Sequence, residues 1–163
     1  MDFSVPTKID SFRGKYYFCS NMYHVIFGIV FEDVIYPSVE HTYHASRTLQ
    51  LEARKEILHT ESPFLAKKIG GSFESRGLQR EDWYDVNRPF MANFLRQKFS
   101  YDNLKKLLLA TGDLILIEGN NWCDNFWGIC KCQKCKKEQP PQLNLLGKEL
   151  MKIRKELQNE KSA

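Results

Sequence analysis

Ser38-Val39-Glu40-His41-Thr42-Tyr43-His44-Ala45-Ser46-Arg47 is the stretch at which the chain changes from strand-like to helical. Ser38 supplies a capping oxygen. His41 stands at the third helical position, where a complete capping box would carry Glu or Gln. On the helix expected through Arg47, the residues Glu40, Tyr43, His44 and Arg47 lie three or four apart and occupy neighbouring parts of one face. A carboxylate, a phenol, an imidazole and a guanidinium grouped in this way form either a reactive face or a solvated face with an incidental ion pair.

On the N-terminal side, Tyr16-Tyr17-Phe18 and residues 25–31 are aromatic and β-branched. They are broken by Ser20-Asn21 and Glu32-Asp33 and closed by Pro37, which predicts short strands joined by turns. On the C-terminal side the period becomes helical. Helices are predicted over 52–59, over 64–69 with Ser62-Pro63 as the start and Gly70-Gly71 as the stop, and over 89–99 with Asp85 or Asn87 as the cap. A further helix is predicted over 104–110, then a buried strand over 114–117. The chain ends in a long amphipathic helix, 145–157, with Leu146, Leu150, Ile153 and Leu157 on one stripe. The expected class is therefore α+β and α-rich, a single compact domain over residues 1–163 with a small sheet and a long C-terminal helix. A basic, Cys-containing loop interrupts it at 130–142.

At 163 residues the chain is long enough to bury a core without staples. Its 42% hydrophobic and 27% charged content argue against disorder and fibrous repeats. No apolar run approaches the roughly 18 residues that span a bilayer. Met1-Asp2-Phe3-Ser4 lacks the basic-then-apolar order of an export signal, so a cytoplasmic location and no membrane partner are expected. A net charge of +4 suits anionic ligands such as nucleotides without establishing nucleic-acid binding. No Gly-x-Gly-x-x-Gly or phosphate loop is present, and no Ser sits in a glycine-flanked elbow, which disfavours dinucleotide redox chemistry, ATP hydrolysis and triad catalysis.

Two constellations carry chemistry. The run Glu118-Gly119-Asn120-Asn121-Trp122-Cys123-Asp124-Asn125-Phe126-Trp127-Gly128 places two carboxylates among three Asn and two Trp directly after an apolar stretch. Such a composition supplies flat walls to stack a ring, amides to orient it and carboxylates to move protons or stabilise positive charge, as cleavage of an N-glycosidic bond requires. Cys123, Cys130, Cys132 and Cys135 offer four thiolates, which read as a structural zinc site or as free thiols in a basic loop. Cys19, beside an aromatic run, reads as a small buried hydrophobe.

Several segments then resemble, in order, the NADAR or YbiA-like family. They are residues 12–21 (Phe-Arg-Gly-Lys-Tyr-Tyr-Phe-Cys-Ser-Asn), 36–41 (Tyr-Pro-Ser-Val-Glu-His), Asp82-Trp83, Thr111-Gly112-Asp113 through Glu118-Gly119-Asn120, residues 124–128, and Asn144 through Met151 with Arg154. The resemblance runs from about residue 9 to residue 157. It implies an N-glycosidase of ribosylated compounds that needs no cofactor for catalysis. It further implies an ADP-ribosyl or phosphoribosyl substrate, such as ADP-ribosylated guanine in nucleic acid or an NAD-derived compound, or else a ribosylamine intermediate of riboflavin synthesis.

By position, the resemblance implies Glu118 as principal catalytic carboxylate, with Glu40, Asp124 and Arg47 beside it in the chemistry. Asn21, His41, Tyr43, Trp83, Trp127 and Asn144 are implied as substrate-binding, and Arg154 as serving the last helix or a phosphate. The Trp residues also read as core, the two Asn as turn or cap residues, and Glu40 as a buttress for His41 or Arg47. One departure stands out: many family members carry Gln-Ala-x-Lys after the Glu-His pair, with the Lys amine attacking ribose, whereas this chain has His44-Ala45-Ser46-Arg47. A guanidinium does not readily form an imine. Another amine such as Lys15, direct attack by water, or a binding module without turnover are the alternatives. The expected partner is a nucleotide-like small molecule or an ADP-ribosylated nucleic acid.

Overall fold

The structure, a computed structural model, describes residues 7–162. The reading of the Met1-Asp2-Phe3-Ser4 terminus lies outside them. In chain order the elements are β1 (Lys8–Ile9), a 3-10 helix (Gly14–Cys19), β2 (Ile29–Phe31), β3 (Val34–Tyr36), α1 (Val39–Ala45), α2 (Leu51–Leu58), α3 (Pro63–Gly71), α4 (Trp83–Ser100), α5 (Asp102–Leu109), β4 (Ile115–Leu116), β5 (Gly119–Asn120), β6 (Ile129–Cys130), α6 (Gln133–Glu138) and α7 (Leu145–Ser162). The α+β, helix-rich class is what the sequence predicts. The sheet is divided into short two-stranded pieces: β1 with β4 and β5 with β6, both parallel, and β2 with β3, antiparallel. Among the described residues, no helix is long and apolar enough to cross a membrane.

The chain forms two compact units, a middle unit of Asn21–Tyr101 and a terminal unit built from the chain on either side of it. In the middle unit, Glu32 and Asp33 both adopt positive φ, 47° and 63°. That is the conformation a tight two-residue hairpin turn demands, and it sets the register Ile29 to Tyr36 and Phe31 to Val34. Helix α1 is buried along its whole length, packed by α2, α3 and α4 and by the hairpin. A solvated face is therefore ruled out. In the terminal unit, the predicted stripe of Leu146, Leu150, Ile153 and Leu157 is buried, with Leu150 fully so. Each such side chain contributes about 1.5–3 kcal/mol relative to exposure.

Several local expectations are corrected. Residues 16–18 belong to a 3-10 helix, opened by Gly14 at φ 54° and by the Tyr16 amide donating to the Arg13 carbonyl. Only Phe18 and Cys19 of that helix are buried, so aromatic content there serves a turn rather than a strand. Residues 25–28 form a turn, Gly28 N–H to Val25 carbonyl at 2.8 Å, which leaves Ile26 and Phe27 exposed and confines the strand to 29–31. Helix α3 continues through Gly70 and Gly71. Helix α4 starts at Trp83 after Asp82 and contains Pro89, so neither Asp85 nor Asn87 is its cap. Within the 130–142 segment the structure has the end of β6 and the short helix α6.

Candidate functional site

In the middle unit the polar residues of α1 are buried and committed to specific partners, as interior polar groups must be. Ser38 caps α1 as predicted, accepting the His41 amide. Its hydroxyl also lies 2.7 Å from His41 Nδ1, while Nε2 lies 3.0 Å from the Thr60 carbonyl. A carbonyl only accepts, so Nε2 carries the proton, Nδ1 accepts from Ser38, and the ring is neutral. Burial holds the His41 pKa below its ordinary value, against the opposing pull of the Thr60 carbonyl and Glu40.

Glu40 pairs through Oε1 with His44 Nε2 at 3.2 Å, both residues buried. Burial alone would raise the Glu40 carboxyl. The hydrogen bond and charge of His44, aided by Lys67, outweigh it and keep the carboxyl below its usual pKa. The other edge of the His44 ring lies against Gly70, where a Cβ would come within 2.4 Å of Nδ1. Asn21 joins this cluster through its carbonyl, which accepts the Glu40 amide at 2.9 Å. Its side-chain nitrogen reaches the Met91 sulfur at 3.5 Å, and its Oδ1 is buried with no hydrogen-bond partner. Farther along, the Arg47 guanidinium lies over the Trp83 ring at 5.3 Å, and that ring packs on Tyr43 at 4.9 Å. Gln79 Oε1 accepts from Arg47 Nε at 3.2 Å. Burial lowers the Arg47 pKa from its high ordinary value, yet a guanidinium remains a cation near neutral pH.

In the terminal unit, the 118–128 run is held chiefly by its backbone. The Glu118 amide donates to Asn144 Oδ1 at 3.1 Å, and its carbonyl accepts from Ile129 at 2.8 Å. Asn144, at φ 49°, donates its Nδ2 to the Leu116 carbonyl at 2.9 Å, so one amide side chain clamps the end of β4 on both sides of Ile117. Asp124 Oδ1 accepts the amides of Phe126 and Trp127 at 3.1 and 2.9 Å. The carbonyls of Asn125, Phe126, Trp127 and Gly128 in turn accept the amides of Leu143, Leu145, Leu146 and Asn144. The otherwise orphaned first amides of α7 are thus satisfied by the aromatic run itself. Close approach makes this arrangement fit: a Cβ on Gly147 would lie 2.1 Å from the Leu116 carbonyl, and one on Gly128 2.2 Å from that of Glu118.

The ordered motifs find their counterpart in known proteins, since the NADAR domain family matches residues 9–158. The chain belongs to the NADAR family. An N-glycosidase of Nostoc punctiforme is 33% identical over 81% of this chain and 81% of its own. The N-glycosidase YbiA of Escherichia coli is 35% identical over 77% of this chain and 73% of its own. A riboflavin biosynthesis protein of Vibrio vulnificus is 31% identical over 96% of this chain, which spans only 38% of that protein's length. The solution structure of Escherichia coli YbiA superposes with a TM-score of 0.76 at 29% identity, covering 98% of this chain and 90% of the other. This NADAR protein is an enzyme of the N-glycosidase class.

Within the NADAR chain the sequence-predicted residues separate by unit. Asn21, Glu40, His41, Tyr43, Arg47 and Trp83 lie in the middle unit; Lys15, Glu118, Asp124, Trp127, Asn144 and the four Cys lie in the terminal unit. Three readings are narrowed by the structure. Both ring nitrogens of His41 are taken by Ser38 and Thr60, so the ring serves the scaffold rather than a substrate. The partner of Glu40 is His44, not His41 or Arg47. Arg154 is buried and donates to Thr111 Oγ1 and the Leu114 carbonyl, tying α7 to the turn before β4 instead of holding a phosphate. Lys15 is exposed and sits over Tyr16. The sequence reading placed His44 on one face with Glu40 without assigning it a role, and it did not single out Gln79 or Gly147. Only His44 had a local signal, its i+4 spacing from Glu40.

The four thiols do assemble. The sulfurs of Cys123, Cys130, Cys132 and Cys135 all lie within 4.8 Å of one another, while Cys19 is fully buried elsewhere.

Proposed function

We infer that the chain hydrolyses the N-glycosidic bond of an ADP-ribosyl or phosphoribosyl compound, with Glu118 as the working carboxylate. The observation that carries this reading is the mounting of Glu118. Asn144 and Ile129 fix its backbone on either side, so the point from which the side chain springs is set before substrate arrives. Preorganisation of this kind suits a group that stabilises an oxocarbenium-like ribose or directs water to its anomeric carbon. Asp124, with Oδ1 engaged by two amides, shapes the aromatic run that would stack the leaving base. Taken by itself, the middle unit offers a cation, Arg47 stacked on Trp83, and a buried acceptor, Asn21 Oδ1.

Arg47 in place of a reactive amine supports direct attack by water over an imine route. Borohydride trapping with substrate tests it, and a covalent adduct on the protein would overturn it. A second reading, a ribosylamine of riboflavin synthesis as substrate, is favoured by the likeness to the Vibrio protein.

The deciding experiment incubates the purified protein with NAD, ADP-ribosylated DNA and ribosylaminouracil phosphate, and identifies released bases by mass. Release that disappears in Glu118→Gln supports the hydrolase. Retained ADP-ribose affinity without release, in the parent and the variant alike, supports a binding module instead.

A further inference from the structure

We propose that Cys123, Cys130, Cys132 and Cys135 bind one structural zinc ion, and that this ion holds the aromatic run of the terminal unit in place. A zinc ion bonded to four thiolates at about 2.3 Å requires sulfurs about 3.8 Å apart. Here the Cys123 and Cys132 sulfurs are 3.5 Å apart and all four lie within 4.8 Å. That is a coordination-sized cluster, well outside the roughly 2.05 Å of a disulfide.

The surrounding amides are arranged for thiolates. Cys130 Sγ accepts the amides of Cys123 at 3.2 Å and Cys132 at 3.4 Å, Cys132 Sγ accepts that of Cys135 at 3.4 Å, and Cys135 Sγ accepts from the Asn125 side chain at 3.5 Å. These donors hold the ligands' orientation and stabilise their charge. Cys123 adopts φ 63°, a left-handed backbone that a non-glycine residue takes up at a cost, and here it turns the thiol toward the cluster. Lys131, Lys134, Lys136 and Lys137 are interleaved with and follow the ligands along the chain, where four thiolates and a divalent ion would leave a surplus of negative charge.

Helix α6 supplies the independent argument. It has six residues and buries only Cys135. A helix that short has no stability of its own in water, and no apolar stripe holds it here. A metal bond through Cys132 and Cys135 to Cys130 on β6 and Cys123 supplies the missing attachment. Cys123 directly precedes Asp124, whose carboxylate arranges Phe126 and Trp127, so the same bond fixes the segment that caps α7. Four protein ligands leave no open position for water, so the ion's task is structural rather than catalytic.

The test measures zinc in protein grown with zinc and replaces it with Co(II). The expected result is about one zinc per chain, with a cobalt spectrum showing thiolate charge transfer and tetrahedral d–d bands. Both signatures should be lost in Cys132→Ser and retained in Cys19→Ala. In the wild-type protein, chelation should release the ion and raise amide exchange over residues 120–135. Substoichiometric zinc without cobalt–thiolate bands would overturn the proposal, and so would a disulfide found by thiol titration. If Cys132→Ser fails to fold, the wild-type cobalt spectrum decides alone.

Discussion

Glu40 and Glu118 are both carboxylates expected at the site, and the structure mounts them in opposite ways. Glu40 sits on the wholly buried helix α1, and its side chain is bound to His44. Glu118 is half-buried in the link between β4 and β5, and its backbone is held by Asn144 and Ile129. A buried pair is costly to break, because removing one member leaves the other uncompensated. The backbone bonds of Glu118 to Asn144 and Ile129 survive a change at its carboxylate. On the proposed reading, the two mounts divide the labour between stability and chemistry.

The largest expected effect separates them directly. Glu118→Gln keeps the amide and carbonyl that Asn144 and Ile129 engage. It should lower the rate of base release by about 10²–10⁴-fold while changing unfolding stability by less than about 1 kcal/mol. Single-turnover base release and denaturant unfolding on the same preparation check both halves. A large loss of stability would show that Glu118, like Glu40, belongs to the scaffold. Next in size, Glu40→Ala should cost about 3–5 kcal/mol of stability by leaving His44 buried without its partner. The denaturant midpoint reads this, and the double variant with His44→Ala should recover part of the loss.

Asn144→Ala removes both clamps on the end of β4 and replaces a residue tolerant of positive φ with one that is not. It should cost about 2–3 kcal/mol. Because Asn144 acts through Glu118, kcat should fall more than KM rises. Asn144→Asp, which keeps the acceptor for the Glu118 amide but loses the donor to Leu116, should fall between.

The sequence showed the elements that carry these mounts but not the mounts themselves. Helix periods and the Ser38 and Ser62 caps are local signals, and they placed α1, α3 and the buried stripe of α7 close to their true positions. Spacing also brought the four Cys into one group. The partner of Glu40 was not legible, since His41, His44 and Arg47 all lie within reach along one helix, and tertiary contacts select among them: Thr60 on His41, Gln79 on Arg47 and Gly70 against His44. The clamp of Asn144 was still further out of view. It joins positions 28 residues apart in the chain, and it needs Gly147 to let α7 approach the Leu116 carbonyl. Pro89 misled for a related reason: proline is favoured at helix starts, but α4 had already begun at Trp83 and runs through it.

Acidification sharpens the contrast with the smallest effect. His41 is held neutral, its pKa below the ordinary value of 6.5. The unfolded chain therefore takes up a proton first as pH falls below 6.5, and stability declines from there toward the lower folded pKa. Glu40 also has its pKa lowered, from 4.5. Its contribution is present above that value and is lost as pH falls through the folded pKa. The two groups thus act in the same direction in successive windows, His41 first and Glu40 below it. His41→Asn should flatten the decline that begins near 6.5 and leave the lower one. Glu118→Gln should leave both unchanged if its mount is through the backbone, and urea unfolding at a series of pH values would show which windows each variant removes.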